Sequence, residues 1–365
     1  MHQTELTFQA DFSSLTFRQN IGKLLKSGTL GDKTLHRWVE RLQERFDEYC
    51  SVYPYGLWGP GLVPTREMSA LTDLYLPIVE IHQAFHCLCR KALAISPSEA
   101  LPLFNYARSW LDILPRLPEQ LQINNPAKLL RQLLKEDAIR ESLLFGTFLP
   151  RRHGGSFLRY PGQYDVLRKW LEDNRKRIST GLQCLDAACG SGECTYRLAA
   201  FLLEMGFSED SLRVHGVSVE PLEVFAAAHA YFPHDLLKQI SYRQWLEQHG
   251  ATLWGRRCVT FAAGDITSQD TVSAEAYDII LCNGLLGGPM LSDSDLTKAI
   301  AALAAGLKKG GILMAADRFH CGWKKKTSFQ QLTELFQEKG LTSIPSDEGI
   351  AVIREYRSGA AASHT

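Results

Sequence analysis

The pattern of apolar and polar positions changes character near residue 180. Before that point apolar residues recur at helical spacing. In Thr34–Phe46, Leu35, Trp38, Val39, Leu42 and Phe46 share one face with charged residues opposite, which predicts an amphipathic helix. Leu71–Leu93, Ala100–Leu114 and Ala127–Leu144 are three further helix candidates. Stretches rich in Pro and Gly at Tyr53–Pro64 and Leu114–Pro126 separate them. After residue 180 short apolar runs alternate with helical patterns. Strands are predicted at Gln183–Ala187, Arg213–Val219, Cys258–Ala262, Tyr277–Cys282 and Gly311–Ala316. Helices are predicted at Glu193–Met205, Pro221–Ala230, Leu296–Leu307 and Ser328–Lys339. Leu341–Ile344 and Ile350–Arg354, joined by a turn containing Ser-Asp-Glu-Gly, read as a closing hairpin. Such alternation predicts an α/β fold: a parallel sheet covered on both faces, with the hairpin adding an antiparallel strand. The expected organisation is a helical N-terminal domain (1–150), a linker and helix (151–180), the α/β domain (181–357) and a frayed tail (358–365).

Composition narrows the function classes. The chain of 365 residues is 45% hydrophobic and 22% charged, and its 40 basic residues balance 40 acidic ones. That balance argues against bulk attraction to nucleic acid or an anionic membrane. Met1–Ser14 has no apolar leader segment, and no apolar run reaches the length of about 18 residues that spans a bilayer. A soluble cytoplasmic protein is expected. The nine cysteines form no Cys-x-x-Cys pair, which predicts free thiols and no disulfide framework.

The chemistry concentrates in Cys184-Leu-Asp-Ala-Ala-Cys-Gly-Ser-Gly-Glu193, which leaves a strand and enters a helix. Gly190 and Gly192 permit a sharp turn and close approach of backbone to a ligand. A dinucleotide loop calls for Gly or Ala where Thr195 stands, and a P-loop calls for Gly-Lys-Ser/Thr, which is absent. Asp186 and Glu193 would repel a diphosphate but attract an ammonium, directly or through water. Three more clusters lie at carboxyl ends of predicted strands, where open α/β sheets bind ligands. Glu220 can accept ribose hydroxyls, Asp265 with Ile266 can hold and cover an adenine, and Asn283 stands where a second substrate enters.

These residues resemble the class I S-adenosylmethionine-dependent methyltransferases. Within that class the chain is similar to the chemotaxis-receptor methyltransferases, which esterify glutamate side chains. Ala188-Cys-Gly-Ser-Gly-Glu-Cys-Thr-Tyr196 keeps the family's Gly-Glu pair and tyrosine. Ser156-Phe-Leu-Arg159 has the shape of its Phe-Phe-Arg-Glu, and Tyr277–Leu286 is similar to its fourth-strand segment. The family's Asn-x-Thr is His153-Gly-Gly155 here, and its Arg-Asn after strand four is Asn283-Gly284. The short insert 232–257 reads as helical where the family carries a β-subdomain. The resemblance implies a Rossmann-like sheet of seven strands in the order 3-2-1-4-5-7-6, the last hairpin antiparallel. It implies S-adenosylmethionine as cofactor, with S-adenosylhomocysteine as product. Cofactor contacts are expected from Asp186, Ala188, Gly190, Gly192, Glu193, Glu220, Asp265, Ile266 and Asn283, and catalysis from Arg159.

Other constellations read as structural. His82, His86 and Cys89 fall on one helical face but lack a fourth ligand with paired spacing, so no metal is expected. Lys324–Lys326 reads as a solvated face, and His153, His320 and Tyr160 as structural neighbours of site loops. The acceptor stays open: a protein or small-molecule carboxylate, another small nucleophile, or none if the chain only binds the cofactor. Nothing in the motifs encodes the oligomeric state.

Overall fold

A computed structural model describes residues 6–53, 63–95, 101–149, 156–178, 181–268, 270–317 and 326–356. The chain divides into two compact units, one of residues 14–151 with 231–242, the other of residues 1–13, 152–230 and 243–365.

The first unit holds helices α1 (Ser14–Leu24), α2 (Lys33–Val52), α3 (Arg66–Tyr75), α4 (Ile78–Ala92), α5 (Trp110–Ile113), α6 (Pro126–Lys135) and α7 (Asp137–Phe148). The apolar face expected on Thr34–Phe46 is buried through Leu35, Val39 and Leu42 on the longer α2, whose start Asp32 caps by accepting from the Thr34 N–H. The single helix expected over Leu71–Leu93 is two, because Pro77 cannot continue α3 and instead precedes α4. Ala127–Leu144 also divides, at Glu136, which ends α6 and begins α7. Ala100–Leu114 is largely short 3₁₀ turns and the one-turn α5. Arg140 is buried and fully employed: it donates to the carbonyls of Leu133, Gly28 and Lys26 and pairs with Asp137. It thereby ties the α6–α7 junction to the turn after α1.

The second unit is built on one sheet of eight strands. They are β1 (Thr7–Gln9), β2 (Leu182–Asp186), β3 (Leu212–Ser218), β4 (Val259–Ala263), β5 (Tyr277–Leu281), β6 (Leu307–Ala315), β7 (Thr342–Ile344) and β8 (Ile350–Ile353), in the order β1-β4-β3-β2-β5-β6-β8-β7. Without β1 this is the order that the family resemblance implied. β2 to β6 are parallel, and the closing hairpin runs antiparallel to β6. The count of seven is corrected to eight, because the chain start pairs antiparallel with β4, setting Phe8 opposite Phe261.

Helices α8 (Pro161–Asn174), α9 (Glu193–Glu204), α10 (Pro221–His229), α12 (Ala251–Cys258), α13 (Asp293–Gly306) and α14 (Phe329–Glu338) belong to this unit, while α11 (Leu236–Gln248) has residues in both. Strand alternation builds two cores. Leu185, Val217, Ile280 and Leu313 pack with Leu296, Ile300 and Leu303 of α13 and with Leu332 and Phe336 of α14. On the other side Phe261 lies 5.4 Å from Tyr196 of α9, and Phe8 lies 5.7 Å from Phe225 of α10, measured between ring centroids. Away from the carboxyl ends, buried Asp278 staples the sheet. It accepts from Arg177, from Lys308 and from the Gln183 N–H. Among the described residues no helix is long and apolar enough to cross a membrane.

Candidate functional site

Because β2 to β6 are parallel, their carboxyl ends lie along one edge, and the loops that follow them carry the polar residues singled out above. β2 ends at Asp186, which is completely buried. Thr195 of α9 donates its hydroxyl to Oδ2 at 2.7 Å, whereas Oδ1 is buried with no hydrogen-bond partner. Burial pushes this carboxyl up to about 6, against the lowering effects of the Thr195 hydroxyl and the Ala188 N–H; Glu193 adds a small upward push.

The loop then turns through Gly190 at φ +52° and Gly192 at φ +89°. A Cβ on Gly192 would lie 2.8 Å from Ala227 Cβ and 2.9 Å from the Phe261 ring, so this glycine lets α10 and β4 press against the start of α9. Glu193 opens α9, is buried, and accepts from the Ser191 hydroxyl at 2.8 Å. Ala188 packs on the apolar core beneath the loop.

At the next strand Glu220 serves as helix cap, its Oε1 accepting from the Leu222 N–H at 3.0 Å. Asp265, after β4, is exposed and folds its own turn by accepting from the Thr267 N–H and hydroxyl, both at 2.8 Å. Ile266 is buried in the core with Val217 and Val272. Asn283, after β5, accepts from the Ala316 N–H at 2.9 Å and exchanges hydrogen bonds with Gln163 of α8.

Arg159 reaches the same edge from the segment before α8. Its guanidinium lies 5.1 Å from the Tyr160 ring centroid, and Nη1 lies 3.5 Å from where a Cβ on Gly284 would stand. Its charge also reaches the Cys194 thiol, which burial holds far above the ordinary range. The segment is anchored by Phe157, stacked on Trp245 at 3.8 Å, and Trp245 stacks in turn on His249 at 4.0 Å.

The sequence reading missed Gln163, Trp245 and the pair Ser218–Glu223, in which the strand-end hydroxyl donates to the buried carboxylate at 2.7 Å. Only Glu223 had a visible signal, an acid three places after a capping residue. His153, His320, Lys324 and Lys325 lie outside the described residues; Lys326 pairs with Asp293. In the helical unit, His82 packs against Phe104 and Cys89 is buried in the core. Among the described residues no group of three His, Cys, Asp or Glu side chains could hold a metal ion.

The donor set fits a cationic ligand. Asp186, Glu193 and Glu223 are buried close to the glycine-rich loop, and Asp186 keeps an unmatched acceptor atom there. A diphosphate would meet repulsion at such a loop, whereas an amino acid carrying an ammonium and a sulfonium would be welcomed.

A comparison with protein families agrees. Residues 154–334 match the family model described as CheR methyltransferase, SAM binding domain. No curated protein matches the sequence. Among solved structures, the chain is similar to magnesium protoporphyrin IX methyltransferase from Synechocystis with bound S-adenosylmethionine, at 16% identity over 53% of this chain and 78% of that one, with a TM-score of 0.35. It is similar to the 1,6-didemethyltoxoflavin-N1-methyltransferase of Burkholderia thailandensis, at 19% identity over 54% and 84%, with a TM-score of 0.32. It also spans 50% of its own length and 58% of the cyclase SpnF, at 20% identity and a TM-score of 0.33. The family match, on a site with these donors, makes the chain a class I S-adenosylmethionine-dependent methyltransferase whose domain at 154–334 is of the chemotaxis-receptor (CheR) type.

Proposed function

We propose that the enzyme methylates a carboxylate, on a protein glutamate or a small acid, to give a methyl ester. The observation that carries this reading is the Arg159 guanidinium at the end of β5, beside Gly284. A guanidinium fork can take a carboxylate through two hydrogen bonds and present one oxygen to the methyl group. Bound S-adenosylmethionine supplies an electrophilic methyl on a sulfonium. The chain's own part is to hold both partners in line and to exclude water. A carboxylate is already a nucleophile, so no general base is required. Asp186 and Glu193 are assigned to the ammonium end of the cofactor, with the backbone of Ala188, Gly190 and Gly192 alongside. Glu220, Asp265 and Ile266 are placed towards the adenosine, and Asn283 near the acceptor entrance.

Esterification removes the acceptor's charge, so Arg159 must orient the carboxylate more than bind it. The test is to incubate the enzyme with methyl-labelled S-adenosylmethionine and a cell extract, then treat the products with mild alkali. Label released as methanol is the expected result. Label that withstands alkali would place the methyl on nitrogen, carbon or an ether oxygen and overturn the carboxylate reading.

A further inference from the structure

Arg159 is mounted differently on its two sides. After it the chain is fixed firmly: Tyr160 is buried, the Gly162 N–H donates to Glu348 Oε2 at 2.8 Å, and Gln163 is held by Asn283. Before it Ser156 and Leu158 are exposed, and Phe157 is the side chain that packs. Its ring lies on Trp245 of α11, 3.8 Å between centroids and with the planes 7° apart. Trp245 is backed in turn by His249, one helical turn on, at 4.0 Å and 17°. His249 Nδ1 lies 2.9 Å from the Trp245 carbonyl, and the Trp254 indole N–H of α12 donates to the His249 carbonyl at 2.8 Å. Leu246, beside Trp245, is buried, and the Trp254 ring lies 6.5 Å from that of Tyr196 on α9. The residues of α11 from 243 onward belong to the unit that holds the sheet. The stack is therefore carried on the same framework as the glycine-rich loop.

We propose that Trp245 is a positioning residue for Arg159 and acts through Phe157. Two rings in parallel contact fix each other's tilt, and a phenylalanine turns on only two side-chain dihedrals. The stack thus fixes the backbone two residues before Arg159. A reacting group has to be held within about 0.5 Å, and a misplacement of about 1 Å can cost on the order of 100-fold in rate. A guanidinium on a turn released on one side keeps its charge and loses its aim. The helical insert 232–257 therefore has a part in the acceptor step, because its α11 carries the ring on which the Arg159 segment rests. The inference rests on the reading of Arg159 as the group that orients the acceptor, and it does not depend on that acceptor being a carboxylate.

The test follows methyl label passed from saturating S-adenosylmethionine to acceptors in a heat-treated cell extract, with S-adenosylhomocysteine affinity measured alongside by calorimetry. Trp245→Ala should slow transfer by about 10-fold and leave that affinity within about threefold. Trp245→Phe, which keeps a planar ring, should recover most of the rate. In an Arg159→Lys background Trp245→Ala should cost less than about twofold more, because the orientation is already lost. Phe157→Leu keeps apolar bulk without the stack and carries the same comparison where Trp245→Ala does not fold. Equal losses in both backgrounds, a loss of affinity as large as the loss of rate, or no recovery in Trp245→Phe overturns the proposal. Slowing by Arg159→Lys but not by Trp245→Ala overturns this inference alone. A rate that Arg159→Lys leaves unchanged, or no label passed by the unmodified enzyme, overturns the role of Arg159 and this inference with it. Label that withstands alkali overturns the carboxylate reading, while the comparison of variants still decides the role of Trp245.

Discussion

Gln163 and Asn283 hold each other through both ends of their amides, Gln163 Nε2 donating to Asn283 Oδ1 at 3.0 Å and Asn283 Nδ2 donating to Gln163 Oε1 at 2.9 Å. The Ala316 N–H, also on Asn283 Oδ1, fixes which end of each amide is oxygen. The pair therefore binds the first turn of α8 to the ends of β5 and β6, four residues after Arg159. Removing Asn283 takes both partners from the buried Gln163 amide, and removing Gln163 takes the acceptor from Asn283 Nδ2 while Oδ1 keeps the Ala316 N–H. Gln163→Ala and Asn283→Ala should each cost about 1–3 kcal/mol of stability. The double variant should cost less than the sum, by about 1 kcal/mol. Chemical denaturation measures all three, and strictly additive losses would contradict the pairing.

Gly192→Ala should be the most damaging small change in the loop. The new methyl meets Ala227 and Phe261 at under 3 Å, and φ of +89° disfavours any side chain. A loss of about 2–4 kcal/mol is expected from strain and overpacking together. Thermal unfolding without ligand is the relevant measurement. Unchanged stability with weakened cofactor binding would instead make Gly192 a ligand contact.

How legible each feature was follows from the forces behind it. The parallel strands and the row of polar strand ends were readable, because burial on both faces writes short apolar runs and the glycine-rich loop marks the first of them; the sheet order came from the family resemblance. β1 was not, because a three-residue strand with one buried side chain, Phe8, has no period to detect. Its existence depends on pairing with β4, which only folding brings near. Pro77 was a visible break that the apolar run around it masked, whereas nothing in the spacing around Glu136 marks the division of α6 from α7. The roles of polar residues were least legible. Glu220 and Asn283 read in sequence as ligand contacts, and no spacing shows that Glu220 also closes a helix start or that Asn283 also joins α8 to the sheet.

Asp186 makes ligand binding sensitive to pH. Its carboxyl is pushed up to about 6 from an ordinary 3.8, chiefly by burial. Between about pH 4 and pH 6 the folded protein thus holds a proton that the unfolded chain has lost. The contribution of this group to stability falls as pH rises through that window and is level above it. A ligand ammonium favours the charged carboxylate and draws its value down. S-adenosylhomocysteine should therefore bind more tightly at pH 7 than at pH 5, by roughly tenfold, releasing up to one proton at the acid end. Calorimetry in buffers of different ionisation heat counts that proton. Asp186→Asn should flatten the profile; if the unmodified enzyme shows no pH dependence in this range, Asp186 does not meet the ammonium.

Arg159→Lys separates orientation of the acceptor from binding of the cofactor. Lysine keeps the charge but loses the planar fork. Turnover on a carboxylate acceptor should drop by about 10- to 100-fold, while S-adenosylhomocysteine affinity stays within about threefold of the original. Equal losses in both would make Arg159 a cofactor ligand, and unchanged turnover would remove it from the acceptor site.

The central claim is that the acidic, glycine-rich edge between β2 and β5 holds S-adenosylmethionine, and titration calorimetry with S-adenosylhomocysteine tests it most directly. Saturable binding of one nucleoside per chain, abolished or strongly weakened in Asp186→Asn and with no competing heat from NADH, is the predicted result. No heat at millimolar S-adenosylhomocysteine, or tight binding of NADH in its place, would contradict the account.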